Sequence, residues 1–588
     1  MANRLLKRLD SQILYRTVFI LTILGVLAFV GDFGFEQSVF AQRIINSYYF
    51  VVLVAGIGIT ALRYLVRKKE LSTQVIIFDA VSVLLTTYII AIHFFSQEAH
   101  RHLSFLYDDN WVKFAILLTF IREFAEQRVN YKRTYLNPAQ LFIVSFMGII
   151  LLGALLLMLP KATYDGINFL DALFTSTSAV CVTGLIVVDT GTYFTSFGQN
   201  IILLLIQLGG LGILTFASYF SYFFKGVSTY ENQVVLSDMN NSQKIGEVFS
   251  TLKRILIITF SIEFLGAIFI YFSVNQTLFP QFFERVFFSI FHSISAFCNA
   301  GFSTLPNSLY QDNFKYNYFM QIVIILLFGL GGLGFPIVIN IIKFLKYKFV
   351  YYFMSSESRR QNQPWLLSLN SRITLITTLS LTVIGTILFF FNEYDNTLLE
   401  HHGFGKFVTA LFGATTPRTA GFNTVDMGAL HFSTLMMIFL LMWVGASPAS
   451  TGGGIKTSTF AIATLNFLSL AKGKTRIEVY RREIADISVR RAFAIISLSL
   501  VVIGMAIIGI SIFDSDKTLL SIAFECFSAY STVGLSVGIT ASLSSASKGI
   551  IILVMFIGRV SMLSILIALF HKVKHTAYRY PTEEILIN

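Results

Sequence analysis

Long apolar runs, broken by short polar and basic stretches, set the rhythm of this chain. Four runs come first, at 13–31, 48–66, 74–96 and 110–126, and a basic link at Glu126–Arg133 closes that group. Eight more follow as four pairs: 138–160 with 196–224, 252–276 with 315–345, 371–392 with 431–470, and 490–513 with 547–571. A helix needs roughly 20 apolar residues to cross a hydrocarbon core, and each run is long enough or nearly so. Between the members of each pair lies a half-length apolar segment, such as Phe169–Ala179 or Val286–Phe297, too short to cross. Such a segment enters the membrane and turns back, which irregular backbone can do only inside protein or beside a wet cavity. The pattern predicts an all-α polytopic membrane protein with twelve spans. A four-helix membrane domain occupies 1–137. Four pseudo-repeats of helix, pore half-helix with loop, and helix follow at 138–235, 236–350, 351–475 and 476–588, the last with the C-terminal tail. They are expected to surround one central pore.

The four half-length segments end alike. They close with Val180-Cys-Val-Thr-Gly184-Leu, Phe297-Cys-Asn-Ala-Gly301-Phe, Pro417-Arg-Thr-Ala-Gly421-Phe and Tyr530-Ser-Thr-Val-Gly534-Leu, and their glycines lie 117, 120 and 113 residues apart. A unit repeated at nearly equal intervals is how one chain builds a ring. Glycine enters left-handed backbone freely, so a glycine in each loop lets carbonyls turn toward a common axis. Carbonyl oxygens so arranged replace the water shell of a bare cation in a selectivity filter. A lone glycine in a membrane helix more often marks close helix packing. Four in register, each after a Ser/Thr-bearing prefix, favour the filter.

Composition narrows the class. The chain is 55% hydrophobic and 13% charged, whereas soluble domains carry about 25% charged residues. The first ten residues are basic, but the apolar run behind them is too long for a secretory leader and lacks a small-residue cleavage site, so it reads as the first span. The net charge of +12 sits largely in clusters at Arg4–Arg8, Arg63–Lys69, Arg128–Arg133, Lys253–Arg254, Lys343–Lys348, Arg359–Arg360, Lys472–Arg491 and Lys572–Lys574. Twelve spans with both termini cytoplasmic put every cluster on the inner side, as the positive-inside rule requires. The expected location is the inner or plasma membrane. There the clusters meet anionic lipid heads, so the charge is weak evidence for nucleic-acid binding and no nucleic-acid partner is expected. Arg63, Arg67, Lys68, Lys69 and Arg122 lie near span ends and read as snorkelling anchors, not as regularly spaced voltage-sensing charges.

A gate is expected below the filter. The run 431–470 is interrupted by Gly445-Ala-Ser-Pro448 and by Gly452, Gly453 and Gly454, and both proline and a glycine triplet weaken a helix. Lys456 follows directly, and Arg559 stands in the middle of the last run. A charge at membrane depth is costly and normally functional. A fixed cation in a cation path acts as an electrostatic barrier. The alternatives are a salt bridge from Arg559 to an acid such as Glu525, and a cytoplasmic snorkel for Lys456. Arg418 reads as a brace for the third loop.

Other chemistry finds no support. The chain offers no convergent acids, bases or metal ligands, so it is not expected to be an enzyme. Lys472-Gly-Lys-Thr475 lacks the glycine spacing of a phosphate loop, so no cofactor is expected in this chain. His292 is a lone residue in the second pore segment, and His401-His402 lies on an outer loop. Cys181, Cys298 and Cys526 all fall in pore segments, where small packing residues are a better reading than a disulfide or metal site.

These motifs, with Gln207-Leu-Gly-Gly-Leu-Gly212 and Gly331-Gly-Leu-Gly-Phe-Pro336, resemble the Trk/Ktr/HKT superfamily of potassium transporters, and within it the TrkH-type pore subunit, over about residues 138–588. The resemblance implies a K⁺ filter formed by Val182, Thr183 and Gly184, by Asn299, Ala300 and Gly301, by Thr419, Ala420 and Gly421, and by Thr532, Val533 and Gly534. It implies a mobile gate loop at Gly452–Gly454 with Lys456, facing Arg559, and K⁺ as the permeant ion in place of any cofactor. It further implies a homodimer bound to a cytosolic ring of nucleotide-binding RCK subunits (TrkA/KtrA-like). The docking surfaces available for that ring are Lys472–Arg491, the loop at 226–251 and the tail Lys572–Asn588. A secondary carrier for another cation or small solute is the competing class. It would show two inverted halves, not four like-oriented repeats.

Overall fold

The computed structural model describes residues 2–67, 73–95, 109–126, 138–211, 248–353, 367–562 and 565–566. The docking tail at 572–588 and residues 226–247 of the loop lie outside the described residues. Four helices come first: α1 (Ala2–Gly34), α2 (Val39–Arg67), α3 (Thr73–Ile90, followed by a π-helical turn Ala91–Phe95) and α4 (Asp109–Glu126). Tyr49, Val52, Leu53, Ile89, Ile90, Val112, Ala115 and Ile116 form the core between them. Near the far end of α2, Arg63 pairs with Glu123 at 2.7 Å and Arg122 pairs with Asp79 at 2.5 Å, all four side chains buried. Arg63 and Arg122 are therefore not snorkelling anchors. Leaving a charge unpaired in apolar surroundings costs several kcal/mol, roughly 3–5 when one partner of a buried pair is lost, so these residues meet acids inside the bundle. Phe33 of α1 stacks on Phe197 at 5.3 Å, which joins the bundle to the first repeat.

The first repeat consists of α5 (Pro138–Leu157), α6 (Phe169–Val180) and α7 (Ser196–Leu211). The second has α8 (Val248–Ser273), α9 (Phe282–Phe297), α10 (Tyr318–Leu333) and α11 (Phe335–Phe353). The third has α12 (Leu369–Glu393), α13 (Phe404–Thr415), α14 (Phe432–Trp443) and α15 (Thr457–Ala471). The fourth has α16 (Asp486–Phe513), α17 (Leu519–Tyr530) and α18 (Ser545–Val560). Their starts follow ordinary capping chemistry, a side-chain oxygen accepting an orphan N–H. Asn168 caps α6, Asn317 caps α10, Ser368 caps α12, Thr518 caps α17 and Ser544 caps α18.

By length and apolarity, six described helices suffice to cross a membrane: α1, α2, α3, α8, α12 and α16. The run 315–345 is not the straight span its hydrophobicity predicts. It breaks between α10 and α11 with a bend of 107°. Gly334 makes the break in left-handed backbone at φ +83°, and Pro336, early in α11, needs no N–H partner there. The run 431–470 is also broken, as its glycines and proline predict, leaving 444–456 irregular between α14 and α15.

The repeats close into a ring. Each outer helix packs on the half-length helix of its own repeat. Each inner helix also touches the half-length helix of the next: α7 on α9, α10 on α13, α14 on α17, and α18 back on α6. Four apolar clusters fill the spaces between them, one centred on each repeat.

Candidate functional site

The half-length helices α6, α9, α13 and α17 all end at the centre of this ring. Gly184, Gly301, Gly421 and Gly534 follow them at φ +91°, +69°, +78° and +91°. Two residues earlier, Val182, Asn299, Thr419 and Thr532 are also left-handed, at φ 57°, 60°, 68° and 50°. Non-glycine residues rarely adopt this conformation, and each costs of order 1–3 kcal/mol. Four at equivalent positions mark a shape imposed by the site.

Local hydrogen bonds hold that shape. The N–H groups of Thr183, Ala300 and Val533 donate to the Ser178, Ser295 and Ser528 carbonyls at 2.8, 2.7 and 2.9 Å. The Ser178 and Ser528 hydroxyls accept from the N–H of Gly184 and Gly534 at 3.0 and 3.1 Å. Ser295 and Thr416 instead donate forward to the Phe302 and Phe422 carbonyls at 2.7 and 2.5 Å. The Ser/Thr-rich prefixes are thus the scaffold of the loops. In the third loop Pro417 has no N–H, and Ala420 and Gly421 both turn to the Thr416 carbonyl.

The four glycines touch in cyclic order. A methyl group added at Gly184 would lie 2.4 Å from the Ala300 carbonyl oxygen, and one at Gly301 would lie 3.0 Å from that of Ala420. One at Gly421 would meet Val533 O at 2.4 Å, and one at Gly534 would meet Thr183 O at 2.2 Å. No side chain fits at any of the four. The four glycines singled out in the sequence therefore come together in one closed cycle with the carbonyl oxygens of Thr183, Ala300, Ala420 and Val533, and carbonyl oxygens turned to a common axis can substitute for the water shell of a cation.

The broken stretch of the third repeat lies directly against this ring. Gly453 N–H donates to Thr532 Oγ1 at 2.9 Å, and a methyl at Gly452 would sit 2.1 Å from Thr419 Oγ1. Thr451 Oγ1 donates to Asn299 Oδ1 at 3.0 Å, while Asn299 Nδ2 donates to Thr419 Oγ1 at 3.2 Å. Lys456 does not snorkel: its ammonium donates back to the Gly452 carbonyl at 2.6 Å. Arg559 does not pair with Glu525, which accepts from Ser536 and Thr540. Its guanidinium donates instead to the carbonyls of Thr451 and Gly209. It thereby joins the fourth repeat to the loop of the third and the inner helix of the first. Arg418 reaches α12, donating to the Thr378 carbonyl at 3.3 Å, as expected of a brace.

Two participants escaped the sequence reading. The side chain of Asn299 links the loops of the second and third repeats to Thr451, although only its carbonyl attracted attention. Gly334 presses against the interrupted stretch: a methyl there would lie 2.6 Å from the Pro448 carbonyl oxygen, and Phe335 N–H donates to Ala449 O at 3.4 Å. The clue to Gly334 was the Gly-Phe-Pro run at 334–336, which has the same grammar as a helix end. The three cysteines are buried and free, and no cluster of potential metal ligands occurs among the described residues.

Residues 110–577 match the TrkH family, described as cation transport protein. The match begins at α4, so α1–α3 lie outside it. The Ktr system potassium uptake protein B of Bacillus subtilis is 36% identical over 453 residues, covering 76% of this chain and 96% of the relative. The potassium/sodium uptake protein NtpJ of Enterococcus hirae is 33% identical over 465 residues, covering 77% and 98%. The crystal structure of the potassium transporter TrkH from Vibrio parahaemolyticus shares the fold with a TM-score of 0.58 at 18% identity, covering 84% of this chain and 98% of that one.

Proposed function

Since this chain belongs to the TrkH family of cation transport proteins, we propose that it takes up K⁺ through the ring formed at Gly184, Gly301, Gly421 and Gly534. It is a multi-pass membrane transporter and not an enzyme. The observation that carries the K⁺ reading is the closed cycle of four left-handed glycines, each against the carbonyl oxygen that precedes the next repeat's glycine. The oxygens of Val182 and Thr183, and of their equivalents in the other loops, replace the ion's hydration shell. The names of two relatives at 33–36% identity, one a potassium and one a potassium/sodium uptake protein, support a monovalent cation.

Gly452–Gly454, with Lys456 and Arg559, form the gate. The stretch lies against Thr419 and Thr532 of the filter, and Arg559 of the neighbouring fourth repeat fastens it at the Thr451 carbonyl. Releasing Arg559 frees the stretch to move. In the cell the chain is a homodimer in the plasma or inner membrane with cytoplasmic termini, regulated by a cytosolic RCK ring. The hairpin at Glu478–Val479 and Arg482–Glu483 lies in the basic segment Lys472–Arg491 between α15 and α16, is exposed and suits such docking. A carrier with two inverted halves is disfavoured by four repeats joined in one cyclic order.

The test is ⁸⁶Rb⁺ uptake into K⁺-loaded liposomes containing the full chain, competed with K⁺, Na⁺ and Li⁺. The expected result is uptake suppressed by K⁺ far more than by Na⁺, and weakened by Gly184→Ser. Equal suppression by Na⁺ and K⁺ would overturn the K⁺ assignment.

A further inference from the structure

Nine residues before the filter glycine, the four half-length helices carry Thr175, His292, Phe412 and Glu525; two residues after it stand Ile186, Ser303, Asn423 and Ser536. In the second repeat, His292 Nε2 lies 2.9 Å from Ser303 Oγ, which in turn accepts the Leu305 N–H at 3.0 Å. In the fourth, Ser536 Oγ donates to Glu525 Oε1 at 2.5 Å and accepts the Gly538 N–H at 2.9 Å. Leu305 and Gly538 both stand four residues after their glycines, so the two relays match atom for atom along the chain.

The proton on His292 can be placed. Its Nδ1 lies 2.9 Å from the Phe288 carbonyl, which only accepts, so Nδ1 carries the proton and Nε2 accepts from Ser303. A neutral imidazole and a carboxyl group thus do one job, accepting a hydrogen bond from a serine hydroxyl on the segment that leaves the filter. Thr540 Oγ1 donates to the other Glu525 oxygen at 2.8 Å. His292 and Glu525 are 0% and 1% exposed. Polar groups buried this deeply inside a membrane protein are costly unless they serve a purpose.

The first and third repeats are built otherwise. Thr175 donates to the Asp171 carbonyl of its own helix, and Phe412 has no hydrogen-bonding group on its side chain. In the cyclic order of the ring, the second and fourth repeats face each other across the axis. The relays are therefore diagonal.

We propose that His292 and Glu525 are positioning residues that brace the outer rim of the filter from opposite sides and set its discrimination between K⁺ and Na⁺. This rests on the filter reading above. Na⁺ is the smaller ion and is held well only if the oxygens close in around it. A segment fixed by the relay cannot close in, whereas one whose serine is no longer held by His292 or Glu525 can.

Equilibrium competition of Na⁺ against ⁸⁶Rb⁺ bound to the detergent-solubilised full chain tests this without requiring an open gate. Ser303→Ala and Ser536→Ala are each expected to let Na⁺ compete roughly threefold to tenfold better, the size of one buried hydrogen bond. Glu525→Gln keeps an acceptor oxygen for Ser536 and should stay near the unaltered protein. Glu525→Ala should match Ser536→Ala, and the double variant should be no worse than either. Thr175→Val should leave the competition unchanged. If both serine variants keep the original competition while Gly184→Ser loses discrimination, the bracing role is overturned and the filter stands. An equal loss in Thr175→Val would reduce the effect to general loosening and overturn it as well. If Gly184→Ser also changes nothing, the filter reading falls and the bracing falls with it.

Discussion

Arg559 shows how far a single residue could be read from sequence. A guanidinium in the middle of an apolar run is conspicuous because it is expensive there, so its importance was legible. Its partners were not, since the Thr451 and Gly209 carbonyls are backbone groups 108 and 350 residues away. Backbone carbonyls have no signature in a sequence. The sequence offered Glu525 instead, the kind of acid that pairing rules favour, and Glu525 is engaged by Ser536 and Thr540. The four loop glycines of the ring were legible for the opposite reason: repetition supplied the signal that a single glycine lacks. Replacing Arg559 by Ala removes one donor from the Thr451 carbonyl beside the proposed gate stretch and one from the Gly209 carbonyl of α7, and charge-assisted hydrogen bonds contribute about 1.5–3 kcal/mol each. The expected outcome is a leak, with initial ⁸⁶Rb⁺ uptake in liposomes at least several-fold faster than in the unaltered protein. A rate equal to or below the original would exclude Arg559 as the gate's fastening.

At the scale of elements, hydrophobicity marked the runs correctly but could not tell a continuous helix from a broken one. Both sides of Gly334 are apolar, so 315–345 reads as one span although α10 and α11 diverge by 107°. The second break was legible because a proline and three glycines together have no good place inside a helix. The two breaks meet, with Gly334 against Pro448 and Ala449, so the bend in the second repeat seats the interrupted stretch of the third. Gly334→Ala forces a side chain into left-handed backbone, at about 1–2 kcal/mol, and into the Pro448 carbonyl. Gly329→Ala, inside α10 with open space around it, should gain about 0.5–1 kcal/mol from helix propensity. Thermal unfolding of the two variants in detergent should therefore move in opposite directions, down for Gly334→Ala and up for Gly329→Ala. A shift of the same sign in both would show that Gly334 is no more than an ordinary helical glycine.

For the whole molecule the question is what keeps four repeats closed when lipid supplies little hydrophobic drive between helices. Polar clamps at the outer ends of the repeats answer part of it. Lys548 of the fourth repeat pairs with Asp171 of the first at 2.7 Å, and Lys315 of the second pairs with Glu400 of the third at 2.9 Å. Beside the latter pair, Tyr318 and His401 Nδ1 are 3.0 Å apart, with His401 only 2% exposed. The equal spacing of the motifs foretold a ring, but these closing contacts join residues far apart in sequence and no local pattern announces them. The His401 clamp gives the ring a pH dependence of known sign. Burial, opposed by the Glu400 carboxylate and aided by Lys315, His402 and Lys406, holds the His401 imidazole below its ordinary value of 6.5. The unfolded chain therefore binds a proton that the folded chain refuses. Stability is full above pH 6.5 and falls as pH drops from there toward the depressed folded value. Thermal unfolding of the full chain between pH 8 and pH 5 should show this decline, and His401→Gln, which cannot take up a proton, should flatten it. An identical decline in His401→Gln would place the titrating group elsewhere and remove His401 from the set of contacts that close the second repeat onto the third.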